Sequence, residues 1–162
     1  MTHSGDHLGG PAPHARLQSA LDKAYRFLGH RDRTVAEMRR HLLKKEVDED
    51  VVDAVVAELV AQDYLDDARF AQRFVEDRVR LDGWGSDRIE RKLVELGVER
   101  EHVAAALRGR DFGTELDAAL ALLQRRWREP PATDRDRDRA LGFLVRKGYD
   151  LEIAYDAIRE HR

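Results

Sequence analysis

The chain has 162 residues, 38% of them charged, no cysteine, and a formal net charge of -3. That length suits one ordinary domain or a short array of small units, and the missing cysteine excludes a disulfide framework or a thiolate metal site. The balanced charge excludes a chain that is basic throughout, as a binder of polyanions over its whole surface would be. Residues 1–15 are Gly, Pro and His with few large apolar groups, and are expected to form a disordered tail. His3, His7 and His14 in that tail match no metal-ligand spacing.

A first helix is predicted from Arg16, with Leu17, Leu21, Ala24 and Leu28 on one face and Gly29-His30 at its end. Thr34 and Glu37 have the spacing of a capping box. They open a second helix that runs to Lys45 with Val35, Met38 and Leu42 inward. Asp48 is placed to cap a third helix. Its Val51, Val52, Val55, Val56, Leu59 and Val60 favour strand by residue type, but only a helix gathers that spacing on one face.

A fourth helix is predicted from Asp66 or Asp67 through Phe70, Phe74 and Val75 to Leu81, followed by an Asp82-Gly83-Trp84-Gly85 loop. Ser86 is expected to cap the next helix, which carries Ile89, Leu93 and Leu96 and stops at Gly97. Glu99 to Leu107 forms a short sixth helix. Gly113-Thr114 opens the seventh, with Leu116, Leu120, Leu123 and Trp127, and Pro130-Pro131 breaks it. The eighth runs from Asp134 to Gly148 with Leu141, Leu144 and Val145 inward, and the ninth follows Asp150 with Ile153, Ala154, Ala157 and Ile158 inward.

A spacing of 51 residues orders this series. It carries Leu42 onto Leu93 and Leu144, and Val55 onto Ala106 and Ala157. Each copy reads as one supersecondary unit, and such units complete their cores by stacking. The expectation is an all-α fold of three tandem three-helix repeats at residues 16–64, 65–110 and 111–162. No apolar run approaches the roughly 20 residues that span a bilayer. The N-terminus has no basic segment followed by an apolar core, so a cytoplasmic chain without membrane contact is expected.

Charge is segregated along the chain. Arg31 to Lys45 holds six basic residues against two acidic ones, and Glu46 to Asp67 holds nine acidic residues and no basic one. The second helix of each repeat carries cations: Arg39, Arg40, Lys44 and Lys45; then Arg88, Arg91 and Lys92; then Arg139, Arg146 and Lys147. Arg69 and Arg73 add to them on the fourth helix. A charge run is often only a solvated face, and Asp134, Asp136 and Asp138 alternate with arginines on the eighth helix. Recurrence on equivalent helices points instead to a partner-binding stripe, each contact neutralising a phosphate or a carboxylate.

No catalytic, cofactor or metal constellation emerges. The carboxylates at 48–50 and at 63, 66 and 67 follow no calcium-loop pattern and include N-cap positions. The Gly-Trp-Gly-Ser turn lacks the Lys-Ser/Thr ending of a phosphate loop. Tyr64 to Ala71 joins the first two units, with Tyr64, Leu65 and Phe70 expected to cover the seam.

The pieces resemble the RecX family of bacterial recombinase regulators. Tyr64-Leu65-Asp66-Asp67-Ala68-Arg69-Phe70-Ala71 matches that family's Tyr-Leu-Asp-Asp-x-Arg-Phe-Ala segment, and Glu37 to Leu42 its Glu-Leu/Met-Arg-x-x-Leu stretch. Gly85 to Gly97 and Phe143 to Ile158 are similar to two further family segments. Glu46 departs from the pattern, since Gly97 and Gly148 stand at its sister positions. The resemblance implies an elongated, curved array, a monomer that binds the RecA filament on single-stranded DNA. It also implies inhibition of that filament's ATPase, strand-exchange and co-protease activities, and hence a role in homologous recombination, DNA repair and the SOS response. A direct nucleic-acid-binding helical module and a general helical adaptor are the alternative readings of the same surface.

Overall fold

The computed structural model describes residues 12–162, so most of the expected N-terminal tail lies outside the described residues. Among those residues the chain forms nine α-helices, one π-helical turn and no strand. They divide into two compact units, one ending at Asp66 and one spanning Asp67–Arg162.

The first unit contains α1 (Pro13–Leu28), α2 (Val35–Lys44) and α3 (Glu49–Ala61). Helix α1 begins at Pro13, ahead of the expected Arg16, because a proline in the first turn gives up an N–H that has no partner there. Thr34 caps α2 by accepting from the Glu37 amide at 3.1 Å. The Glu37 carboxylate in turn accepts from Arg31 at 2.7 Å and pairs with Arg33 at 3.7 Å. Ala20, Ala24, Met38, Leu42, Val52, Val55, Val56, Leu59 and Leu65 make the core. Val60, expected inward, is exposed: at about 100° per residue it falls beyond the edge of the stripe centred on Leu59. Asp48 occupies the N-cap position of α3 without a side-chain cap bond, and its carboxylate stands 3.8 Å from Arg16.

The second unit begins with α4 (Asp67–Asp77), which does not run on to Leu81 as an α-helix. It widens into a π-helical turn at Arg78–Asp82 and ends on Gly83 in the left-handed region at φ 66°. The wider turn accompanies an Arg78–Asp82 ion pair at 2.5 Å and sets Trp84 edge-on to Phe74. Then follow α5 (Ser86–Glu95), α6 (Arg100–Leu107), α7 (Phe112–Arg126), α8 (Asp134–Lys147) and α9 (Leu151–Glu160). Helix α7 opens not at Gly113-Thr114 but after Asp111, whose carboxylate accepts from the Thr114 amide at 2.9 Å. That bond stabilises the ionised carboxylate and holds the Asp111 pKa down. Thr133 and Asp150 cap α8 and α9 in the same way.

The repeat is physical as well as sequential. Leu42, Leu93 and Leu144 are all fully buried, as are Met38, Ile89 and Ala140. The three second helices also end alike. Val47, Val98 and Tyr149 donate their amides to the carbonyls of Leu42, Leu93 and Leu144 at 3.1, 3.1 and 3.2 Å. The residue between is left-handed each time: Glu46 at φ 64°, Gly97 at 87° and Gly148 at 104°. The glycine pattern is broken at Glu46, but the backbone geometry is kept.

Candidate partner-binding surface

The seam between the second and third repeats decides which cations are available, and it is made largely by backbone. The N–H of Gly85 donates to the Lys147 carbonyl at 2.8 Å, and that of Asp87 to the Gly148 carbonyl at 3.0 Å. The positive end of α5 thus meets the negative end of α8. Gly85, not Ser86, is the N-cap of α5. Glu115, at the start of α7, completes the joint. One of its oxygens accepts from the Ser86 amide at 3.2 Å, from the Ser86 hydroxyl, and from Arg110 Nε at 2.9 Å. Tyr149 donates its phenol to the Gly83 carbonyl at 3.2 Å, and burial, followed by the nearby Glu115 charge, pushes its pKa up to about 12. Burial also raises the Asp87 pKa, reinforced by Asp150 and Glu115.

The cations of the stripe therefore do unequal things. Arg88 donates to the Arg146 carbonyl at 3.0 Å with its guanidinium 4.1 Å from the Trp84 ring centroid. Lys147 donates to the Asp82 carbonyl at 3.0 Å. Both help tie the repeats together. Arg39 pairs with Asp53 of α3 at 2.6 Å, so part of the charge segregation in the first unit is internal complementarity. Lys92 lies 3.6 Å from Glu95. Arg40, Lys44, Lys45, Arg69, Arg73, Arg91, Arg139 and Arg146 are exposed. Of the Tyr64 segment, Leu65 is buried in the first core and Phe70 packs against the core built by Ala71 and Ile89. Tyr64 remains half-exposed, edge-on to Tyr25.

Two cavities join cations to aromatic rings. In the first unit one of about 240 Å³ is lined by Lys23, Arg26, Phe27, His30, His41 and Lys45. There Phe27 and His41 stack with centroids 3.8 Å apart. Burial, then the charges of Lys45, Arg33 and Lys44, lowers the His41 pKa and favours the neutral ring. In the third repeat a larger cavity of about 400 Å³ includes Arg126, Arg135, Arg139 and Arg146 around Trp127 and Phe143. Arg139, Phe143 and Arg146 are legible as one face of α8 from their spacing. Trp127 and Arg126 come from the end of α7. The spacing puts Trp127 on the apolar face of that helix, but α7 stops at Arg126 with Trp127 extended after it, and nothing in the local sequence places it beside the α8 arginines.

Family models for the first, second and third three-helix domains of RecX match residues 20–59, 66–107 and 114–158. The chain belongs to the RecX family. A regulatory protein RecX from Mycobacterium sp. (strain JLS) is 32% identical over 158 residues, covering 92% of this chain and 86% of that protein. One from Mycobacterium avium is 31% identical over 147 residues, covering 89% and 85%. One from Listeria monocytogenes is 29% identical over 148 residues, covering 89% of this chain and 54% of the relative, so the chain spans about half the length of the Listeria proteins. The fold is that of the RecX crystal structure from Lactobacillus salivarius, with a TM-score of 0.77 at 19% identity over 91% of this chain and 97% of that one. These relatives are named regulatory proteins, and no helix among the described residues of this RecX-family chain is long and apolar enough to cross a membrane.

Proposed function

We propose that this chain is a non-enzymatic, cytoplasmic regulator that binds the RecA filament on single-stranded DNA. It acts as a monomer and inhibits the filament's ATPase, strand-exchange and co-protease activities, thereby modulating recombinational repair and the SOS response. The observation that carries the reading, beside family membership, is a repeated exposed surface. Leu43, Val94 and Val145 stand 51 residues apart and are 46%, 44% and 40% exposed. Each is within a few residues of an exposed cation, Lys44, Arg91 or Arg146. A surface that repeats along one chain suits a partner that repeats along a filament. Weak contacts tied in one chain gain affinity through effective concentration.

The test is single-stranded-DNA-dependent ATP hydrolysis by the cognate recombinase, titrated with this protein. Inhibition well below one molecule per recombinase subunit supports action on the filament. No inhibition, with salt-sensitive binding to DNA alone, selects the nucleic-acid-binding module. No effect on either selects the general adaptor. Reversal of Arg39, Arg40, Lys44 and Lys45 to glutamate is expected to abolish inhibition with helicity intact.

A further inference from the structure

We propose that the cavity between the end of α7 and α8 holds one unpaired nucleotide of single-stranded DNA. The base lies against Trp127 and Phe143, and the phosphate lies among Arg135, Arg139 and Arg146. The inference deepens the reading above and rests on it for its ligand, because the filament is the source of unpaired DNA.

Charge is the first argument. Four guanidinium groups line the cavity and Asp138 is the one carboxylate among them. Among the described residues none of the four arginines makes an ion pair, whereas Arg137 on the same helix is paired with Asp134 at 2.5 Å. Unneutralised guanidinium groups crowded together repel each other and favour an anion. Their planar fork matches phosphate oxygens.

The rings decide which anion. Trp127 and Phe143 meet edge-to-face with centroids 5.3 Å apart, and the Arg126 guanidinium stands 5.4 Å from the Trp127 centroid. Trp127 is anchored at its backbone, where its amide donates to the Leu123 carbonyl at 2.8 Å and its carbonyl lies 2.7 Å from Nε2 of the buried His161. Its side chain is partly buried against the core that includes Leu123 and Leu144. A fixed aromatic platform beside cations serves a flat ring joined to a phosphate, and every base has a π-face to stack. A free inorganic anion has no use for the rings. A duplex offers base edges and hides base faces. The volume of about 400 Å³ is within the roughly 300–1,000 Å³ common for small-ligand sites.

The chain builds a similar arrangement at the matching place in the first repeat. His41 and Phe143 are sister positions, and His41 stacks on Phe27 beside Lys23, Arg26 and Lys45. In the middle repeat the sister residue is Lys92, which is paired with Glu95.

The test uses the full chain and a short oligothymidylate. The chain has two tryptophans, so Trp84→Phe leaves Trp127 as the reporter. Its fluorescence is expected to be quenched on addition of the oligonucleotide. In the otherwise unchanged chain, Trp127→Leu is expected to weaken binding about tenfold. The exposed pair Arg139→Gln and Arg146→Gln, which leaves the packing in place, is expected to reduce the slope of log affinity against log salt by about 0.7 for each phosphate no longer neutralised. Unquenched Trp127, with the arginine variant binding the oligonucleotide like the parent, overturns the proposal even if the parent inhibits recombinase. An arginine variant that loses recombinase inhibition but keeps oligonucleotide binding also overturns it, since the cavity then faces protein carboxylates. If the parent leaves recombinase unaffected while the oligonucleotide results hold, the filament reading fails and the nucleotide site stands.

Discussion

Gly85 and Gly148 meet backbone to backbone: a Cβ on Gly85 would stand 2.5 Å from the Gly148 carbonyl oxygen, and one on Gly148 would stand 2.3 Å from the Arg88 Cβ. No rotamer change relieves a clash with backbone. The two glycines, from different repeats, let the end of α8 supply the carbonyls that the start of α5 lacks.

Gly85→Ala is therefore expected to force the seam apart and cost about 2–4 kcal/mol, at or above the usual range for overpacking. Hydrogen exchange checks the location as well as the size. Protection should fall for α5, α7 and α8 while α1 to α3 keep theirs.

Glu46 carries a side chain in a left-handed conformation that its sister positions give to glycine. That conformation costs a non-glycine residue roughly 1–2 kcal/mol, partly offset by the entropy a glycine loses on folding. Glu46→Gly should raise the stability of the first unit by about 1 kcal/mol, read as a shift in the urea midpoint.

Glu115 is 4% exposed and binds both Ser86 and Arg110. Removing one partner of a buried pair leaves the other charge uncompensated, at roughly 3–5 kcal/mol. Glu115→Ala should destabilise the second unit by about 3 kcal/mol. Glu115→Gln should fall between that variant and the parent, because an amide oxygen still accepts from Ser86. Thermal unfolding of the three proteins tests the order.

His41 sets a pH dependence. Its folded pKa is lowered, by burial first and then by Lys45, Arg33 and Lys44, so the unfolded chain binds the proton more readily. Stability is full above the unfolded value of about 6.5 and declines as pH falls through and below it. His41→Phe, which keeps a ring against Phe27, should remove that decline. Melting temperatures of parent and variant, followed from neutral to mildly acid solution, should diverge only at the acid end.

The helices and their buried faces are legible in the sequence because both depend on near neighbours. Met38 with Leu42, Ile89 with Leu93 and Ala140 with Leu144 lie four residues apart and recur at 51. All are buried as that spacing requires. Local reading fails where a distant group intervenes. Ser86 has the position and chemistry of a cap, but the α5 terminus is completed by Gly148 and Glu115. Val60 and Val145, both expected inward, fail for a different reason: each follows a fully buried leucine by about 100° and falls outside a stripe narrower than its spacing suggests.

Three helical repeats, each with cations on its second helix, follow from residue order alone. Which of those cations face outward follows only from the folded chain. Arg88 and Lys147 are drawn into the seam by carbonyls 58 and 65 residues away, while Arg139 and Arg146 line an open cavity with Trp127. The reason is physical: helical periodicity is written every few residues, whereas a carbonyl supplied from another repeat leaves no mark near the side chain it captures.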